Sequence, residues 1–204
     1  TNPDIKFKPD QFRHITQITH NPLILMTRPD HPATSIDELV AHSKKSEKGV
    51  PYGSVGVGSL YHIISDNMSK VAGFKSVHIP YKGTGPMIND LVGGQVDYGC
   101  DQIVSVAPQI KAGTIRALAI ATPERSPALP DVPTTKEAGV DFIFSAWNAM
   151  VAPKDTPKEI VDKLLDAVGK AMDDPAVKAR YVELGSTAPT GAERGPAGLQ
   201  KLVE

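Results

Sequence analysis

Val50-Pro51-Tyr52-Gly53-Ser54-Val55-Gly56-Val57-Gly58-Ser59 leads into a stretch patterned by Leu60, Ile63, Ile64 and Val71 and stopped by Gly73. Val77-His78-Ile79-Pro80 then leads through Tyr81-Lys82-Gly83-Thr84-Gly85-Pro86 into a second such stretch, stopped by Gly93-Gly94. Each reads as a short apolar strand, a loop rich in Gly, Ser and Thr, and an amphipathic helix. Thr84 or Gly85 is expected to cap the second helix, with Pro86 an early helical residue. Working outward, Val96 to Cys100 is a further strand, Ile103 to Ala112 a helix and Ile115 to Ala121 a strand. Upstream, Ile15 to Met26 reads as one or two strands. Ser35 and Glu38 have capping-box spacing before the apolar stripe of Ile36, Leu39 and Val40. Repetition of strand and helix predicts an α/β fold, with a mostly parallel sheet carrying helices on both faces.

The character changes after Ala121. Thr122 to Pro133 holds four prolines and is expected to run over the surface. Phe142 to Val151 reads as a buried strand with Trp147 in the core. Thr156-Pro157-Lys158-Glu159 has the form of a capping box ahead of a stripe of Ile160, Leu164, Val168 and Met172. Asp174-Pro175 opens another helix, which Gly185 stops. The proline-rich boundary suggests two lobes.

Composition narrows the functional classes. Hydrophobic residues make up 40% and charged residues 22% of 204, and the formal net charge is −1. That is an ordinary globular balance with no global field to attract nucleic acid or an anionic surface. No apolar run approaches the ~18–20 residues of a membrane span. No charged-then-apolar leader is seen, so a mature or partial chain is expected. Cys100 is the single cysteine, which excludes an internal disulfide. His14, His20, His31, His42, His62 and His78 show no metal-ligand spacing, so neither a metal nor any other cofactor is expected.

The two loops are the candidate site. Glycines let backbone amides converge on one point, and a helix behind the loop adds open N–H donors and partial positive charge. One helix terminus gives an anion about 0.3–1 kcal/mol, whereas micromolar binding needs about −8 kcal/mol. A single loop is therefore insufficient, and convergence of two loops with closure by another lobe is expected. Ser54, Ser59 and Thr84 add hydroxyls, and Gly58 and Gly83 give backbone access. Asp101 and Gln102 sit at another strand-to-helix junction, where capping is as good a role for Asp101 as ligand contact. Lys82 is a candidate counter-charge. Gly53, Gly56 and Gly58 have the reverse of dinucleotide-loop spacing, and Gly83-Thr84-Gly85 lacks the Lys-Ser/Thr of a phosphate loop. Ser59, His62 and Asp66 make a poor triad, because all lie along one helix and no nucleophile elbow is present. A small hydrolase-like enzyme is thus the weaker alternative, beside a ligand-sensing regulator built on the same fold.

Tyr52 to Ser59 with His62 resembles the first loop and helix start of the Bug family, the periplasmic solute receptors of tripartite tricarboxylate transporters. His78 to Pro86 resembles that family's second loop. Asp90-Leu91-Val92-Gly93-Gly94-Gln95-Val96-Asp97, Pro108 to Gly113, Arg116 to Ala119 and Arg125 to Thr134 also fit. The resemblance implies a two-lobed Venus-flytrap (type II periplasmic-binding-protein) fold, non-catalytic capture of a small carboxylate, a periplasmic location and delivery to a membrane permease. It points to Ser54, Gly58, Ser59, His62, Gly83, Thr84, Asp101 and Gln102 as ligand contacts. Residues 1–28 are expected to be part of lobe 1 and the hinge, 29–121 to be lobe 2, and 122–204 to return to lobe 1. Family members carry a longer N-terminal segment, so lobe 2 is expected intact and the other lobe incomplete. No residue pattern selects among di-, tri- and aromatic carboxylates.

Overall fold

The computed structural model describes residues 6–203, which chain contacts divide into two compact units. One takes the chain up to Asn21 and from Trp147 onward, and the other is Pro22–Ala146.

In the Pro22–Ala146 unit the strands lie in the order β3 (Ser76–Pro80), β2 (Val50–Ser54), β4 (Tyr98–Gln102), the C-terminal part of β1 (Phe12–Thr27), β5 (Arg116–Ile120). β2 pairs in parallel with both β3 and β4, as the strand–helix alternation predicts. β1 departs from that expectation, since it runs antiparallel between β4 and β5. The sheet is therefore mixed.

Side chains alternate across the sheet with period two. Ile24 and Met26 point to one face, where Met87 and Leu91 of α3 (Thr84–Val92) and Ile103 and Val106 of α4 (Ile103–Lys111) cover them. Leu25 points to the other face. It joins Ile36 and Leu39 of α1 (Ile36–Lys44), Met68 of α2 (Leu60–Val71), and Tyr52 and Tyr98 of the sheet. Helices thus lie on both faces, and the starts of α2, α3 and α4 follow the C-terminal ends of β2, β3 and β4. After β5 the proline-rich segment returns to the sheet. The Thr135 amide donates to the Ile120 carbonyl at 2.9 Å, and the Phe144 amide to that of Ala121 at 2.9 Å.

Several helix signals are revised. Ser35 caps α1, accepting the Glu38 amide, and Glu38 reaches back mainly to the Thr34 amide and hydroxyl, with the Ser35 backbone a lesser partner. On α2 the expected stripe is rotated. Leu60, Ile63 and Val71 are exposed, while Ile64, Ser65, Met68 and Ser69 are buried. The small serines let the helix sit close to the sheet, and that close fit outweighs the larger apolar residues in choosing the face. α3 starts one residue early, with Gly83 at the cap in the left-handed region (φ 115°). No side chain caps it.

The other unit pairs β6 (Ser145–Pro153) with β1. Ile15, Ala152 and Val161 pack there with Met150, Leu164 and Leu165. α5 (Lys158–Asp173), α6 (Pro175–Leu184) and α7 (Gly195–Val203) complete it. Asp174 caps α6 and Gly185 ends it in the left-handed conformation, as expected. The expected capping box on α5 is absent, because Pro157 itself stands at the cap. Ile160 is exposed while Val161 is buried, and Trp147, expected in the core, is 41% exposed.

Gly53 and Gly99 face each other across β2 and β4 beneath Met87. A Cβ on Gly53 would lie 2.5 Å from Met87 Cγ, so the pair of glycines is what brings α3 onto the sheet. At the start of β4, Asp97 accepts from Arg28 at 3.3 Å. Burial alone would raise its carboxyl. The neighbouring His31, Arg28 and His42, of which Arg28 donates a hydrogen bond, outweigh that and hold it below the usual range. Gly53→Ala is expected to destabilise by about 1–3 kcal/mol in denaturant unfolding, the cost of overpacking. The Asp97 contribution is present above the unfolded carboxyl value of about 3.9 and is lost as pH falls through the lower folded value. The gap in melting temperature between wild type and Asp97→Asn should therefore close below that pH.

Candidate functional site

The first loop is held by its own polar groups. Ser54, fully buried at the end of β2, exchanges hydrogen bonds with Gly56: its hydroxyl accepts the Gly56 amide at 3.2 Å and lies 3.1 Å from the Gly56 carbonyl. The same hydroxyl lies 2.6 Å from His78 Nε2 on β3. Gly58 turns the chain at φ 74° and donates its amide to His62 Nδ1 at 3.0 Å. Ser59 is the cap of α2, its hydroxyl accepting the His62 amide at 3.3 Å. Ser59 and His62 are thus tied as cap and first turn, not as nucleophile and base. A neutral His62 that accepts at Nδ1 carries its proton on Nε2. The His62 and His78 rings stack at 3.8 Å and 7°. Burial, and then the neighbouring His62, hold His78 below the ordinary histidine value.

A second cluster forms around Asp101, which is fully buried on β4. Its Oδ2 accepts the Thr84 hydroxyl at 2.7 Å and its Oδ1 the Gln102 amide at 2.7 Å. Hydroxyls of Tyr61 and Ser105 add to this set. Burial pushes the carboxyl up and the four donors pull it back, leaving it raised on balance. Tyr61 is the second residue of α2, Thr84 the first of α3, and Ser105 lies in the first turn of α4. One carboxylate therefore gathers the starts of three helices.

The structure brings Ser54, Gly58, Ser59 and His62 together, and separately Thr84, Asp101 and Gln102. Gly83 places the amides of α3. Lys82 is exposed in the loop with no ion pair among the described residues. Sequence reasoning missed Tyr61, His78 and Ser105. His78 had a legible signal only in hindsight of the register, since it faces Tyr52 across the parallel β2–β3 pair.

In the first turn of a helix, N–H groups have no intrahelical acceptor. On α2 the Ser59 cap satisfies His62, leaving the amides of Leu60 and Tyr61 open. On α3 no side chain caps the turn and Pro86 has no N–H, leaving those of Thr84 and Gly85. The two helix starts thus present donors and partial positive charge, which suits an anion. Burial pushes the Cys100 thiol up to about 12.

The family model for the tripartite tricarboxylate transporter family receptor (TctC) matches residues 1–190. BugT of Bordetella pertussis is 33% identical over 174 residues, 85% of this chain and 53% of that protein. MatC of Rhodopseudomonas palustris, solved with bound malate, is 35% identical with a TM-score of 0.89, over 99% of this chain and 69% of that one. A further R. palustris protein, solved with adipate, is 29% identical with a TM-score of 0.91, over 98% and 67%. The chain spans about half the length of the curated relatives it matches. These are receptors of the Bug type rather than enzymes, and this chain belongs to the tripartite tricarboxylate transporter receptor family.

Proposed function

We propose that this chain is the ligand-gripping part of a periplasmic receptor that captures a small carboxylate for a membrane permease of the tripartite type. The observation that carries the reading is the pair of first turns, on α2 and α3, whose open amides are anchored about the buried Asp101 carboxylate. The malate and adipate bound by two related proteins support a dicarboxylate as the class. Among the described residues no helix is long and apolar enough to cross a membrane, in keeping with a receptor that works beside a separate permease.

In this reading a ligand carboxylate takes the amides of Leu60, Tyr61, Thr84 and Gly85 in place of water. Ser54, Gly58, Ser59, His62 and Gly83 set the loops that carry those amides, and Gln102 offers a side-chain amide nearby. Asp101 is the brace. Its oxygens are taken by protein donors, so it acts through Thr84 and Tyr61 rather than on the ligand. Hydrogen bonds to a charged acceptor contribute about 1.5–3 kcal/mol each. Four together reach the scale that one helix terminus cannot.

Titration calorimetry with malate, adipate and their diesters tests this. The diacids should bind and the diesters should not, and absence of binding by every diacid would sink the proposal. Leu60→Pro removes one open amide at a helix position that tolerates proline. It should weaken diacid binding by about ten- to a hundredfold, one such bond's worth, with the melting temperature little changed. Thr84→Val leaves the buried Asp101 a donor short and should cost about 1–3 kcal/mol of stability as well as affinity.

A further inference from the structure

Away from the ligand loops, His31, His42 and Asp97 converge at the N-terminal end of β4. His31 lies in the β1–α1 loop, His42 in the last turn of α1, and Asp97 just before β4. Their ligating atoms all lie within 4.8 Å of one another. We propose that these three residues form a binding site for a borderline divalent transition ion, with Zn2+ the reference case.

The spacing is the first observation. His31 Nε2 is 3.5 Å from Asp97 Oδ1, and His42 Nε2 is 3.9 Å from Oδ2. Both are too long for good hydrogen bonds. They approach the roughly 3.4 Å between ligand atoms of a tetrahedral ion with bonds of about 2.0–2.1 Å. The second observation is independent of spacing. The His31 ring is fully buried and its Nε2 makes no hydrogen bond of good geometry among the described residues.

Two imidazoles and one carboxylate suit zinc, nickel or copper, and suit calcium or magnesium poorly. The frame is already set. The Arg116 guanidinium donates to the His31 carbonyl at 3.0 Å, and the Asp97 amide donates to the Pro51 carbonyl at 2.8 Å. His42, 36% exposed, gives access from solvent.

Two features oppose the ion and set its behaviour. His31 Nδ1 accepts the Ala33 amide at 3.1 Å, so the neutral ring carries its proton on Nε2. Binding must move that proton to Nδ1 and give up the Ala33 bond, or turn the ring over; one neutral hydrogen bond is small beside a metal–imidazole bond. Arg28 shares Asp97 Oδ1, but it has Asp30 at 3.2 Å as a second partner. Oδ2 is left for the ion.

The test is titration of the chelator-stripped chain with Zn2+, and with Co2+ as a spectroscopic probe. Expected are one ion per chain, a visible Co2+ spectrum of four-coordinate intensity, and no response to Mg2+. His42→Gln changes a half-exposed residue and should fold normally, yet lose at least tenfold in Zn2+ affinity. Asp97→Asn should lose as much, judged against its own melting curve. Equal Zn2+ affinity in wild type and His42→Gln would place the ion on other histidines and overturn the proposal, as would no uptake at all.

Discussion

A carboxylate that is fully buried and satisfied by protein donors fixes the geometry of everything around it, and Asp101 does this for the Pro22–Ala146 unit. Taking the charge out of water is costly unless several hydrogen bonds replace its hydration. Here they come from Thr84, Tyr61, Ser105 and the Gln102 amide. These donors belong to the first turns of three different helices or, for Gln102, to the cap of the third. None of those turns can drift without leaving the charge short of a partner. The starts of α2 and α3 are thereby held in fixed relation, which is what preorganised anion binding needs.

The same economy appears in the packing. α3 comes close to the sheet because Gly53 and Gly99 leave room for Met87. α2 comes close because Ser65 and Ser69 face the core. Close approach on both faces brings the first turns of the helices to one edge of the sheet. The hydroxyls and imidazoles of the first loop are largely consumed in shaping it, through Ser54 with Gly56 and His78, and Gly58 with His62. The open polar groups at the starts of α2 and α3 are mostly backbone amides. Amides recognise charge and shape without demanding a particular side of the ligand, which accords with one fold serving malate in one relative and adipate in another.

Much of this was legible beforehand. Strand–loop–helix units, the glycine stops, the Ser35 and Asp174 caps and the candidate loops depend on local rules, and local rules can be read from short stretches. The resemblance through Tyr52–Ser59 and His78–Pro86 carried the family. Less legible was what depends on neighbours distant in the chain. Trp147 and Ile160 look like core residues by composition and are exposed, while serines on α2 are buried, because burial is set by the facing element. The antiparallel place of β1 depends on pairing with β4 and β5, which no local pattern encodes.

The sequence by itself determined which segments are helix or strand, where they stop, and that two glycine-rich loops precede helix starts, since those follow from backbone conformation and periodicity. Only the tertiary structure decided that Asp101 is a brace tied to Thr84 and Tyr61. It alone brought His78 against Ser54, and His31 and His42 against Asp97. Those groupings join residues far apart in the chain. Their distances are set by how strands pair and helices pack, which spacing along the chain does not record.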